Sequence, residues 1–288
     1  MIITPPPHFV NAGDLSARID SADPRMINFR EAETVIDLRA TEFARVPAVL
    51  WCLIYSLLAQ SAGCNCRLLV PTNMGVCIYL KSTNLFDLLS ANGVQVDVRG
   101  IPAIPPAIRS QLILPLTRFN NESVVEAVTN KAHEMLSNSR LGAANLYPLV
   151  SEVFAELAMY AVQHAESPIG AFGIVQFYEF DQGRRFVCGV ADGGIGIKRS
   201  LERNPMLKGR FFYDWDAIEL AIRERISGLT DPTRGIGLYG VAEDMRRAGR
   251  QLVLHSGIGL LQIAEDLQSS ALRTRLFPGT FAYASIPT

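Results

Sequence analysis

Hydrophobic and polar positions along this 288-residue chain change period repeatedly. Short apolar or alternating runs suit strands, and longer stretches with apolar residues three and four apart suit one face of a helix. Met26–Phe29 and Thr34–Leu38 read as strands, and Pro47–Ala59 as an apolar helix with proline in its first turn. Cys66–Pro71 reads as a short buried strand closed by proline. Gly75–Ala91 has helical spacing through Val76, Tyr79, Leu80, Leu85 and Phe86, and Val94–Val98 is a further strand. Strands alternating with helices at this spacing predict a small α/β domain over residues 1–100.

Ile101-Pro-Ala-Ile-Pro-Pro-Ala107 interrupts the pattern, because proline disfavours helix interiors and central strands. Residues 101–120 are therefore expected to hold a proline-rich linker and a leading strand, Gln111–Phe119. A second domain, 121–288, opens on a helix capped near Asn121 and running to about Ser139. The next helix, Tyr147–Ala165, is apolar over much of its surface and is expected to be buried. Gly170–Phe180 and Arg184–Ala191 read as paired strands, the second ending in Asp192. The long connection after it, with helix-like Trp215–Ile226, predicts a lid over 201–234. A helix opens within Thr233–Val241 and runs to about Ala248. Gln251–Ser256 and Leu260–Glu265 predict a hairpin over Gly257-Ile-Gly259, and Pro278-Gly-Thr280 leads into a last strand, Phe281–Ile286. The expected fold class is α+β.

Composition narrows the function classes. Nearly half the residues are apolar, under a fifth are charged, and the net charge is −1, so the chain is globular. No lysine or arginine block offers the electrostatic footprint of sequence-independent nucleic-acid binding. Arg45 and Gln60-Ser61 bracket the longest apolar run, which leaves it short of the roughly 18 residues a membrane span needs. The N-terminus lacks a basic segment and a cleavage site, so a cytoplasmic protein is expected. Five cysteines without framework spacing read as free thiols, and Cys64-Asn-Cys66 alone is a weak zinc signal. His133-Glu134 reads as a solvated or packing pair rather than a phosphorylated histidine, since no proline follows shortly after.

The candidate chemistry gathers in the second domain. Asp192-Gly-Gly-Ile-Gly196 delivers one carboxylate from a strand and then a glycine-rich turn, which is either an ordinary hairpin turn or a ligand cradle. On the preceding helix Glu156 and Tyr160 are one turn apart and Gln163 follows; a buried glutamate is costly unless paired or used. Gly235-Ile-Gly-Leu-Tyr-Gly240 matches the dinucleotide fingerprint formally. No strand feeds it, however, and the strand after it ends in His255-Ser256 instead of an acidic ribose ligand. No P-loop, nucleophile elbow or H-E-x-x-H sequence is present.

The order of these features, a glutamate helix, Asp-x-Gly-x-Gly, a long connection, Gly-x-Gly at a helix start and Gly-Thr before a strand, resembles the GHKL (Bergerat-fold) ATPase superfamily. That family includes histidine kinases and anti-sigma-factor kinases. The resemblance implies an α/β sandwich and ATP as ligand. It places Asp192 on the adenine amino group, with Gly194, Gly196 and Ile197 around the ring, it brings Gly235, Ile236, Gly237 and Leu238 to the phosphates, and it makes Arg234 or Lys198 a phosphate contact. Thr280 would stand near the Asp192–adenine contact. Glu156 would be the general base. The family's first pattern is Glu-x-x-x-Asn-Ala-x-x-His; Glu156, Ala161 and His164 match, and Tyr160 replaces the Mg²⁺-ligating asparagine. A neutral phenol is a poor ligand for a hard cation, and Gln163 is the nearest alternative oxygen. The first domain resembles the STAS-like fold of anti-sigma-factor antagonists, whose acceptor serine precedes the first long helix. The matching positions, Arg45-Val46-Pro47-Ala48, carry no hydroxyl. Together the resemblances imply an ATP-binding regulator of bacterial signalling that switches a protein partner with weak or absent hydrolysis. An active ATPase or protein-serine kinase, a non-catalytic scaffold and a homodimeric assembly all stay open.

Overall fold

The computed structural model describes residues 2–9, 33–109, 111–139, 141–180, 183–224, 226, 237–264 and 269–288. The strand expected at Met26–Phe29 lies outside the described residues, as do Arg234, Gly235 and Ile236. Two compact units divide the chain, Met1–Leu116 and Thr117–Thr288.

Among the described residues of the first unit, every strand pairing is parallel. β1 (Ile2–Ile3), β3 (Glu33–Asp37), β5 (Asn65–Leu69) and β6 (Gln95–Val96) form one sheet in the order β1-β3-β5-β6, and β2 (His8–Phe9) pairs with β4 (Phe43–Ala44). Parallel neighbours cannot be joined by a tight turn and need crossover helices. α1 (Val46–Ser61) makes the β3-to-β5 crossover and is buried without a break from Val46 to Ala59, which explains why its sequence is apolar all round. Each fully buried Leu, Ile or Val contributes about 1.5–3 kcal/mol. Arg45 caps this helix without a side-chain bond, and its guanidinium lies over the Phe43 ring at 5.1 Å.

Two expectations in this unit change. The single helix read over 75–91 is two, α2 (Met74–Ser82) and α3 (Leu85–Ala91), broken at Asn84, whose φ of 70° is left-handed. Asparagine tolerates that region better than most residues. The proline-rich stretch contains a short helix, α4 (Pro106–Arg109), since proline is accepted at a helix's first position. All five cysteines are free and buried.

β7 (Leu112–Phe119) runs through the boundary into the second unit, whose sheet has the order β10-β11-β9-β8-β7. β8 (Ala171–Phe180) and β9 (Gly183–Asp192) form an antiparallel hairpin, and β11 (Ser269–Pro287) pairs antiparallel with both β9 and β10 (Gln251–Ile263). The β9–β11 register sets Phe281 opposite Ala191 and so brings Thr280 beside Asp192. Gly257-Ile-Gly259 is a bulge inside β10 rather than a hairpin turn. Gly257 takes φ 58°, and a Cβ on Gly259 would stand 2.6 Å from the Trp215 backbone nitrogen, so this stretch is spent on a close crossing.

The helices of this unit are α5 (Glu122–Asn138), α6 (Tyr147–His164), α7 (Gly196–Glu202), α8 (Asp214–Arg223) and α9 (Gly237–Arg247). Asn121 Oδ1 accepts the Val124 N–H at 2.9 Å and starts α5. α6 packs on β8 and β9, with Phe154 wedged over Gly173, where a Cβ would meet the ring at 2.6 Å. α8 buries Ala217, Ile218, Ala221 and Ile222 and packs on β10, so this part of the expected lid, 214–223, is docked. No described helix is long and apolar enough to cross a membrane.

Candidate functional site

The end of β9 sets the centre of the site. Asp192 is 1% exposed, and its Oδ1 accepts the Gly194 N–H at 2.8 Å and the Thr280 N–H at 3.2 Å. Burial pushes its carboxyl up to about 7, against the pull of those two N–H groups. Oδ2 accepts no hydrogen bond from the described residues. One oxygen is thus fixed by backbone and the other is left for another donor.

The glycines around Asp192 are close-approach points for the protein's own backbone. At Gly194 a Cβ would overlap the Ala165 carbonyl oxygen, which accepts the Ile195 N–H at 2.8 Å. Gly279, at φ 97°, passes so close that a Cβ there would stand 2.2 Å from the Asp192 carbonyl oxygen and 2.6 Å from its Oδ1. Gly196 takes φ 77° beneath Ser256, whose Oγ would stand 2.8 Å from a Cβ there. Ser256 is 2% exposed and ties the segments together: its Oγ accepts from the Ile197 N–H at 2.8 Å and donates to the Gly279 carbonyl at 2.9 Å. Ser167 Oγ accepts the Gly193 N–H at 3.2 Å.

Glu156 and Gly237 meet although 81 positions separate them: a Cβ on Gly237 would lie 3.0 Å from Glu156 Oε2. The carboxylate therefore lies against the first turn of α9, the end of a helix that favours negative charge. Sequence reasoning expects a buried Glu156, but the residue is exposed beside the first turn of α9. Partial desolvation, and then the Glu152 carboxylate one turn earlier, still hold its carboxyl above the usual range.

Tyr160, the next turn of α6, has its ring 4.6 Å from that of His164. Its hydroxyl is buried and completes no hydrogen bond of normal geometry, although Ser200 is near. Burial, and then the Asp192 charge, raise its phenol, so it stays neutral at ordinary pH. Gln163 is engaged by α5: its Nε2 donates to Glu122 Oε1 at 2.9 Å. Among the described residues no group of three or more His, Cys, Asp or Glu side chains could hold a metal ion.

The remaining expected ligand residues divide. Ile197 and Leu238 are core residues at 0% and 4% exposure. Lys198 pairs with Glu202 one turn on. Asp192, Gly194, Gly196 and Thr280 are brought together, and Glu156 meets Gly237; Arg234, Gly235 and Ile236 lie outside the described residues. In the first unit, Asp37 is held by Arg39 in a two-pronged pair at 2.9 and 2.7 Å, which lowers its carboxyl below the usual range. Ser256 is the participant the sequence reading passed over. Its signal was a polar residue closing the apolar run Leu252–His255, a place where a hydroxyl must find partners. No protein-family model matches this chain, and no curated protein matches it either.

Proposed function

We propose that the unit Thr117–Thr288 is a GHKL-type adenine-nucleotide module and that the chain is a nucleotide-responsive regulator of bacterial signalling with little or no hydrolysis. The observation that carries this reading is the Asp192 carboxyl, buried at a strand end with one oxygen held by two backbone N–H groups. A carboxylate oriented this way has an oxygen left to accept from an exocyclic amino group, which adenine offers and guanine replaces with a carbonyl. Support comes also from the meeting of chain segments that the family's order demands: Asp192 with Thr280, and Glu156 with Gly237.

The same surroundings argue against efficient chemistry. Phosphoryl transfer depends on a metal ion to neutralise developing charge. Tyr160 puts a buried phenol where a ligand would stand, and Gln163 is engaged by Glu122. The residues present do not fit Mg²⁺. Glu156 keeps a base-like position beside a helix start, without a described partner to activate. The first unit, a parallel α/β sheet with no hydroxyl at 45–48, is read as a STAS-like module for a regulatory protein partner.

Calorimetric titration of the full chain with ATP, in Mg²⁺ and again in EDTA, tests this. The expected result is equal binding in both conditions, weakened at least about tenfold in Asp192→Asn by loss of a charge-assisted hydrogen bond. Absence of binding, or affinity untouched by Asp192→Asn, refutes the nucleotide reading. Mg²⁺-dependent turnover that disappears in Glu156→Ala would establish an active enzyme instead.

A further inference from the structure

Between the end of α6, the start of β8 and the last residues of β7 lies a cavity of about 290 Å³. That volume falls just below the usual range for drug-sized ligands and suits a molecule of a few heavy atoms. None of the residues assigned to the nucleotide lines it.

The cavity is built on a fixed turn. The Gly170 N–H donates to the Ser167 carbonyl at 3.2 Å, and Gly170 takes φ 80°. The missing side chain at Gly170 lets Arg118 of β7 cross the turn: a Cβ there would stand 3.0 Å from Arg118 Nε. The Arg118 guanidinium also lies over the Phe172 ring of β8, at 5.9 Å from its centroid. Two neighbouring parts of the chain thus hold the arginine over the turn, which lowers the ordering cost of any bond it makes.

The polar lining is unevenly satisfied. Arg118 is exposed, and its guanidinium makes no ion pair or hydrogen bond among the described residues. The carboxylate of the lining, Glu166, is taken by Arg203, the residue after α7. Ser167 Oγ accepts the Gly193 N–H at 3.2 Å, and its own O–H donates to no described residue. Asn120 Oδ1 accepts from Asn121 Nδ2 at 3.2 Å, which leaves the Asn120 N–H pair unused among the described residues. The unspent groups are therefore donors, one of them charged. Ala161, Val162 and Pro168 complete the lining with apolar surface.

We infer that this cavity is a binding site for a small monocarboxylate with a short apolar body. The carboxylate is held by Arg118 through two parallel N–H bonds, the geometry in which guanidinium and carboxylate match best. The apolar body lies against Val162 and Pro168. One guanidinium balances one negative charge; a phosphate dianion calls for a second cation, and Arg203 is already committed to Glu166. The site stands on its own lining and does not depend on ATP binding at Asp192.

The test titrates the full chain with isovalerate by calorimetry and follows the Gly193 backbone amide by NMR, since that N–H is held by Ser167 of the lining. Isovalerate is expected to bind and to shift the Gly193 amide. Acetate, which lacks the isopropyl group, and isovaleramide, which lacks the charge, should each bind at least about tenfold more weakly. Arg118→Ala, at an exposed side chain with no hydrogen bond to lose, should weaken isovalerate about tenfold. Arg118→Lys keeps the charge without the fork and should fall between that variant and wild type. Failure of isovalerate to bind, isovaleramide or inorganic phosphate binding as tightly, a Gly193 amide that does not move, or full affinity in Arg118→Ala would each overturn the proposal. A chain that binds isovalerate with the expected pattern and no ATP would uphold it while refuting the nucleotide reading of the Asp192 centre.

Discussion

Asp192→Asn should make the protein more stable, and increasingly so as pH rises. The asparagine keeps an Oδ1 to accept from Gly194 and Thr280, so the turn's geometry survives. What it removes is a charge that burial opposes. The folded carboxyl titrates at about 7 against 3.8 in a free chain. Between those values the folded state holds a proton that the unfolded state has released, so wild-type stability falls as pH rises and levels off above pH 7. A gap of about three units corresponds to about 4 kcal/mol in full, of which about 2–3 kcal/mol develops between pH 5 and pH 8. Asparagine does not titrate, and the other ionisable groups are common to both proteins. Urea unfolding of wild type and variant at pH 5, 6, 7 and 8 reads the difference directly. The stability gap should move by about 2–3 kcal/mol in favour of the variant across that range. A gap that stays constant, or moves the other way, would mean that Asp192 is ionised and well solvated in the folded protein.

Two further substitutions follow from the same centre, with Gly63 in the first unit as a control. Gly194→Ala places a methyl on the Ala165 carbonyl oxygen, which must shift and release the Ile195 N–H. The loss should be at least about 3 kcal/mol in denaturant unfolding, combining overpacking with a broken hydrogen bond. Gly63→Ala, at φ 85° with open space around it, isolates the backbone cost alone at about 1 kcal/mol. Tyr160→Phe deletes a buried hydroxyl with no completed hydrogen bond and should be neutral or stabilising by up to about 1 kcal/mol. A clear destabilisation in the same unfolding assay would show that the hydroxyl is bonded.

Much of the fold was legible because burial and period coincide. The unbroken apolar run of α1 is buried through Ala59, and the alternating stretches before and after Gly183 pair strand to strand as read. What escaped was local backbone chemistry. One left-handed residue, Asn84, divides a helix whose apolar spacing carries straight across it. Gly257-Ile-Gly259 has the composition of a turn, yet the contact that decides its shape is with Asp214, 44 positions from Ile258, whose N–H its carboxylate takes. Glu156 failed for a related reason: even a largely apolar helix has positions its packing partners leave exposed, and the sequence does not say which until those partners are known.

The site was legible as residue types and not as their use. Glycines at 194, 196 and 279 read equally well as a cradle for phosphate and as crossing points for backbone, and each has a protein atom where its Cβ would be. They cannot by themselves carry the case for a ligand. Asp192 can, because nothing in the packing explains a buried carboxyl with no cation beside it among the described residues. Two backbone N–H groups orient it without matching its charge, and a purely structural turn would be as well served by asparagine or serine. Retaining the acid costs stability above pH 5, and such a cost at a strand end is characteristic of a functional group. The comparison of Asp192→Asn in stability and in ATP binding therefore separates the alternatives: a variant that gains stability and loses ligand marks a site, and one that gains stability with nothing lost marks a turn.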